Sequence, residues 1–257
     1  MKYQENKETY LLIAGGWQGA WCWKYLSKYL RNQGHSVHAI SLPGMAEYFP
    51  KCNEQIDLQT HINAAVEYID NHKLYDINLV GHSYGGMVIS GVADIRANCV
   101  KSLVYLDALV PENNQSEADL FLDGASTSQG WYEQAKSAGT SYLLPLCSSP
   151  QFLGMTNKKM IRYLKKKATP HPIATLTSPI NYVNGGYNSV SKKIYIECTK
   201  SSGVKELIRF NQERIKSSSG WIYQSINSSH QCMLEDPLLL GKTLTNLTCS
   251  TAGQNLN

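Results

Sequence analysis

Val80-Gly81-His82-Ser83-Tyr84-Gly85-Gly86 contains the pattern Gly-x-Ser-x-Gly, the sequence of a sharp turn from a strand into a helix. In such a turn the backbone folds back so tightly that a β-carbon at either glycine would collide with it, and the serine is lifted above the sheet edge. The flanks supply the two elements that the turn must join. Ile77 to Val80 is an apolar run of the length of a buried strand, and Met87-Val88-Ile89-Ser90-Gly91-Val92-Ala93 continues as a tightly packed helix. Matches to this five-residue pattern also arise by chance in loops; strand, turn and helix in that order make Ser83 a candidate nucleophile.

Outward from this turn, strand and helix patterns alternate, as a parallel sheet flanked by helices requires, so the fold class is α/β. Strands are expected at Tyr10 to Ala14, Ser36 to Ser41, Ile77 to Val80, Lys101 to Leu106, Lys193 to Cys198 and Trp221 to Ile226. Helices are expected at Ala20 to Gln33, Asp57 to His72, Val204 to Lys216 and Pro237 to Leu247. The rhythm breaks after Pro111, where about eighty residues rich in Ser, Gly, Pro and aromatics pass before the next convincing strand, too many for a plain loop. Residues 111–191 are therefore expected to form a cap or lid inserted into a core made of residues 1–110 and 192–257.

Composition narrows the function. The chain has 257 residues, enough for one large α/β domain, and is 42% hydrophobic and 17% charged, as an ordinary globular protein is. A formal charge of +4 is too small to argue for nucleic acid. Lys158, Lys159, Arg162, Lys165, Lys166 and Lys167 crowd together, first of all as a solvated helix face and second as an attraction for an anionic substrate or carrier. The stretch Met1 to Glu8 has no apolar core of signal-peptide length and no run approaches a membrane span, so a cytoplasmic protein without a membrane partner is expected. Cysteines 22, 52, 99, 147, 198, 232 and 249 are odd in number and form no C-x-x-C pair, which suits reduced thiols better than disulfides or a zinc site. The sequons at Asn114, Asn227 and Asn246 carry little weight; a glycan on Asn227 would crowd His230.

In open α/β sheets chemistry gathers where the strands end, so each strand exit can be searched for partners to Ser83. The first exit, Ala14-Gly15-Gly16-Trp17, can present the Gly16 N–H to a substrate carbonyl oxygen, and with the Tyr84 N–H it would complete an oxyanion hole; a merely tight turn is the alternative. His230 follows the last strand in a polar loop, where an imidazole can take a proton from the serine and return it to a leaving group. The other six histidines are worse placed: His35 and His38 flank an early strand, His61 and His72 lie on a helix, His82 lies in the turn and His171 in the insertion. Asp107 ends the strand after the Ser83 helix, where its carboxylate could orient the imidazole, or merely cap the loop into the insertion. The later exit Cys198 to Gly203 holds no carboxylate, Glu197 points along its strand, and Asp236 follows His230 too closely.

Leu11-Leu12-Ile13-Ala14-Gly15-Gly16-Trp17-Gln18-Gly19-Ala20-Trp21-Cys22-Trp23 resembles the N-terminal signature of small α/β-hydrolases related to plant methylesterases and hydroxynitrile lyases. Val104 to Pro111 and Thr169 to Thr175 resemble a mainly microbial, esterase-like branch of that group. The resemblance implies the α/β-hydrolase fold, with nucleophile, acid and base on Ser83, Asp107 and His230. Two departures imply specialisation: Ala14 stands where such proteins usually carry a histidine, and Lys200 and Ser201 stand where plant relatives carry a carboxylate.

The function expected is a serine hydrolase that cleaves a carboxylic ester, thioester or lactone through an acyl-enzyme, with no cofactor or metal. Its partner is a small apolar or aromatic molecule held among Trp17, Trp131, Tyr132 and Met233, side chains that pack in a cap as readily as they bind a ligand. A lyase or cyclase using the same three residues for proton transfer or carbon–carbon cleavage is the alternative, and a non-catalytic receptor a third reading.

Overall fold

The apolar runs assemble into one parallel sheet. The computed structural model describes residues 7–121, 124–146 and 149–249; Cys147 and the N-terminal residues through Asn6 lie outside them. In chain order the strands are β1 (Thr9–Ile13), β2 (Ser36–Ile40), β3 (Ile77–His82), β4 (Val100–Leu106), β5 (Leu143–Leu144), β6 (His171–Pro172), β7 (Lys193–Cys198) and β8 (Trp221–Ile226). Six form a sheet in the order β2-β1-β3-β4-β7-β8, every pair parallel. β3 is buried along its whole length, which explains why Leu79 and Val80 are both apolar in place of an alternating pattern, while the buried Asn78 amide donates to Glu8 Oε2 at 2.9 Å and accepts from Ser102 Oγ at 2.7 Å.

Helices α1 (Lys24–Asn32), α2 (Leu58–His72), α3 (Gly85–Arg96), α7 (Ser202–Ser217) and α9 (Pro237–Cys249) flank the sheet. The helix expected from Ala20 begins as a 3-10 turn, Ala20–Trp23, before α1. Asp57 caps α2 by accepting from the Thr60 N–H at 2.8 Å, and Lys73 ends it in a left-handed conformation. α3 is buried from Gly85 through Asp94, as a helix between a sheet and another helix must be. A β-carbon on Gly91 would come within 2.3 Å of Ile62 Cδ1 on α2, so glycine sets how closely α2 and α3 approach.

Register brings the site together. Gly81 pairs with Tyr105 and His82 with Leu106, so β3 and β4 release Ser83 and Asp107 at the same height. Ile13 pairs with Gly81, which lays the loop after β1 against the same turn. A β-carbon on Gly15 would come 2.8 Å from His82 Nδ1 and 2.9 Å from Ser83 Cβ, and glycine there permits the contact.

Between β4 and β7 the segment folds into α4 (Gly124–Ser137), α5 (Lys158–Lys167), α6 (Ile173–Thr177) and the antiparallel pair β5 and β6. Hydrogen bonds tie it to the strand exits: Trp17 Nε1 donates to Leu144 O at 2.9 Å, Thr169 N to Trp17 O at 3.1 Å and His230 N to Leu153 O at 2.9 Å. The basic residues of α5 are exposed, as a solvated face would be, while its Leu164 is buried. None of the described helices is long and apolar enough to cross a membrane.

Candidate active site

Ser83 takes the left-handed conformation, φ 53°, that the tight turn between β3 and α3 demands. Its N–H donates to Leu106 O at 3.2 Å, and its carbonyl accepts from the Gly86 and Leu109 N–H groups at 3.0 and 3.2 Å. Gly86 permits this closure, because a β-carbon there would lie 2.0 Å from Leu109 O.

Asp107 leaves β4 with φ 44°, and its carboxylate is fully buried. Oδ2 lies 2.8 Å from His230 Nδ1. Oδ1 accepts from the Cys198 N–H at 3.2 Å and from Gln212 Nε2 at 3.3 Å. Ser201 Oγ stands 2.9 Å from Oδ2 and 2.6 Å from Cys198 O, and its single hydrogen serves one of them at a time. The β7 exit, which lacks a carboxylate, thus supplies hydrogen-bond donors to the one arriving from β4.

His230 sits before the short helix α8 (Cys232–Glu235), and its ring lies 4.4 Å from that of His82. His82 Nε2 must donate to the His230 carbonyl, 2.8 Å away, since a carbonyl only accepts. Burial first, then the neighbouring His230, holds the His82 imidazole far below the ordinary histidine value, so it stays neutral.

Tyr84 is the N-cap of α3, so its N–H has no carbonyl within the helix to bond. Its hydroxyl lies 2.8 Å from His61 Nδ1, and His61 Nε2 donates to Pro43 O at 2.9 Å. At the β1 exit the Trp17 N–H is occupied, donating to His171 Nδ1 at 3.0 Å, and Gly16 beside it lines the cavity. His171 Nε2 then donates to Thr175 Oγ1 at 2.6 Å, and Thr175 to Pro172 O at 2.7 Å. This chain fixes one neutral tautomer of His171, whose pKa burial depresses strongly, and with it the shape of the Gly16 loop.

These groups meet in a cavity of ≈ 460 Å³ lined by Ser83, His230, Gly16 and Trp17 from the strand exits and by Phe121, Trp131 and Phe152 from the long segment. No Lys or Arg side chain lines it among the described residues. No group of three metal-ligating side chains occurs among the described residues either.

The sequence matches the model of the Alpha/beta hydrolase family over residues 10–237. The chain belongs to this family. A carbendazim hydrolyzing esterase of Nocardioides sp. (strain SG-4G) is 30% identical over 245 residues, spanning 93% of this chain and 99% of that one. Methylesterase 4 of Arabidopsis thaliana is 24% identical over 264 residues, 97% and 99% of the two chains. An extracellular alpha/beta-hydrolase from a Paenibacillus species superposes with a TM-score of 0.81 at 22% identity, covering 94% of this chain and 99% of that one, a likeness of fold. The protein is thus an alpha/beta hydrolase enzyme of carboxylic ester hydrolase type.

Of the four side chains expected to hold substrate, this hydrolase turns two into its cavity. Trp17 and Trp131 line it. Tyr132 does not: successive helical residues point about 100° apart, and on α4 this leaves Tyr132 43% exposed with its hydroxyl 3.5 Å from Thr177 Oγ1. Met233 is also corrected, because α8 packs against α1 and α9 and buries it in the core away from the cavity. Sequence reasoning passed over Gln18, Glu117 and the tether on His171. His171 lay in a segment that carried the family resemblance; Glu117 sits where no periodicity marks it as buried.

Proposed function

We propose that this hydrolase cleaves a carboxylic ester, thioester or lactone through an acyl-enzyme on Ser83. The observation that carries the reading is the 2.8 Å contact between Asp107 Oδ2 and His230 Nδ1 in the cavity that Ser83 lines. Asp107 holds the proton on Nδ1, so Nε2 presents its lone pair to the serine. Ser83 Oγ attacks the substrate carbonyl carbon as its proton passes to His230 Nε2, and the N–H groups of Gly16 and Tyr84 hold the oxyanion. Collapse breaks the bond to the leaving oxygen or sulfur, which takes the proton from His230; water then repeats the sequence and frees the acid. Residues 111–191 act as the cap, whose Phe121, Trp131 and Phe152 give the acyl pocket an aromatic wall.

A fluorophosphonate probe should label Ser83, and an ester panel of aryl, alkyl and lactone substrates should give an acyl-enzyme of the expected mass. Ser83→Ala and His230→Ala should each lower turnover by several powers of ten without unfolding the chain. Near-full activity in a folded Ser83→Ala protein would refute the acyl-enzyme and assign the reaction to proton transfer by His230.

A further inference from the structure

Glu117 lies just before the 3-10 turn Ala118–Leu120 and lines the same cavity as Ser83 and His230. It is 6% exposed, and its Oε2 is shut off from solvent without a hydrogen-bond partner. Burying a carboxyl in this way is costly unless a bound molecule satisfies it. Burial accordingly pushes its pKa up to about 8, which favours the neutral acid at pH 7.

Two more unpartnered atoms belong to side chains lining this cavity, Gln18 Oε1 and His82 Nδ1. Both are acceptors: Gln18 spends its Nε2 on Gln231 Oε1 at 3.0 Å, and His82 spends its Nε2 hydrogen on the His230 carbonyl. The unpartnered groups that can donate, Trp21 Nε1, Trp23 Nε1 and Ser27 Oγ, belong to side chains outside the lining. Among the described lining residues Glu117 thus faces no Lys or Arg, stands with two other acceptors that lack a donor, and shares the cavity with Phe121 and Trp131, whose rings meet edge to face at 5.8 Å. Aromatic faces and a carboxylate together suit a cation.

We infer that the substrate of this ester hydrolase carries a protonatable nitrogen, an amine bearing N–H, which Glu117 holds as an ion pair inside the cavity. The inference rests on the proposed ester cleavage for its reaction and on Glu117 for its substrate class. On binding, the O–H bond of the Glu117 acid breaks and its proton passes to the buffer. The ammonium keeps its hydrogens and donates one to the carboxylate.

The test compares methyl 4-(aminomethyl)benzoate with methyl 4-ethylbenzoate, which match in shape and differ in charge, and the corresponding phenylacetate and 3-phenylpropanoate pairs. At pH 7 the wild-type enzyme should favour the amine member of a pair at least about tenfold in kcat/KM, and Glu117→Gln should remove that preference. Calorimetry of the amine esters on Ser83→Ala, in buffers of different ionisation enthalpy, should show about one proton released per molecule bound, and none with Glu117→Gln added. Equal rates within every pair, a preference that survives Glu117→Gln, or binding without proton release would overturn the inference. If no ester is cleaved and Ser83 resists the fluorophosphonate, the ester-hydrolase reading fails, while proton-releasing binding still upholds the amine site. Should Glu117→Gln not fold, the wild-type preference and the proton count decide.

Discussion

Asp107→Asn tests the site at its most informative bond, because the surrounding donors dictate how an asparagine must sit. The Cys198 backbone N–H, a donor that cannot reverse, faces Oδ1 at 3.2 Å beside Gln212 Nε2 at 3.3 Å, so the amide NH2 cannot turn that way without opposing a donor. Both partners of Oδ2 can reverse. The Ser201 hydroxyl can turn wholly to Cys198 O, 2.6 Å away, and His230 can change tautomer. The asparagine NH2 therefore occupies the Oδ2 place and donates to His230 Nδ1, which drives the ring proton to Nε2. That nitrogen then points a hydrogen at Ser83 and cannot act as its base. The substitution keeps size and hydrogen-bond number, so little stability should be lost. The rate should fall on the order of 10⁴, about 5.5 kcal/mol of transition-state stabilisation, the loss known for this exchange in serine-protease triads. The assay is kcat/KM on the best ester at pH 7 beside a melting curve. A folded Asp107→Asn protein within about tenfold of wild type would refute the claim that Asp107 sets the tautomer.

Trp131→Ala should change relative rates across an ester panel, while Tyr132→Ala, which touches solvent and Thr177, should leave the profile unchanged; equal shifts from both would contradict the assigned lining. Stability should fall as pH drops below about 6.5, since His61, lowered to about 4, and the more strongly depressed His82 and His171 take up protons in the unfolded chain before the folded one. His61 alone contributes on the order of 3 kcal/mol to this loss, and calorimetric melting between pH 4 and 7 measures it. Glu117 acts in the opposite sense: its raised pKa makes the folded state bind more protons, so its contribution fades as pH rises from about 4.5 through about 8. Glu117→Gln should then melt higher than wild type at pH 8, and a lower melting temperature there would show that the buried acid is not the destabilising group.

The sheet and the turn that carries Ser83 are legible in the order of the residues alone. Buried parallel strands are dominated by apolar residues, and a strand that turns straight into a helix needs glycines at fixed places, so Ile77 to Gly86 announces its structure locally. Asp107 and His230 could be named because strand exits converge by the rules of the fold, and the register of β3 on β4 brings Asp107 to the height of Ser83. Tertiary structure decided what fills the space above them. Trp131 and Tyr132 are neighbours in the chain with similar chemistry, and the docking of α4 alone determines which one lines the cavity. Met233 reads as a pocket residue from its place beside His230, yet α8 turns it into the core. Glu117 carries no mark of burial in the sequence; its burial comes from segments brought together through the whole fold, and no local pattern records a neighbour far away in sequence.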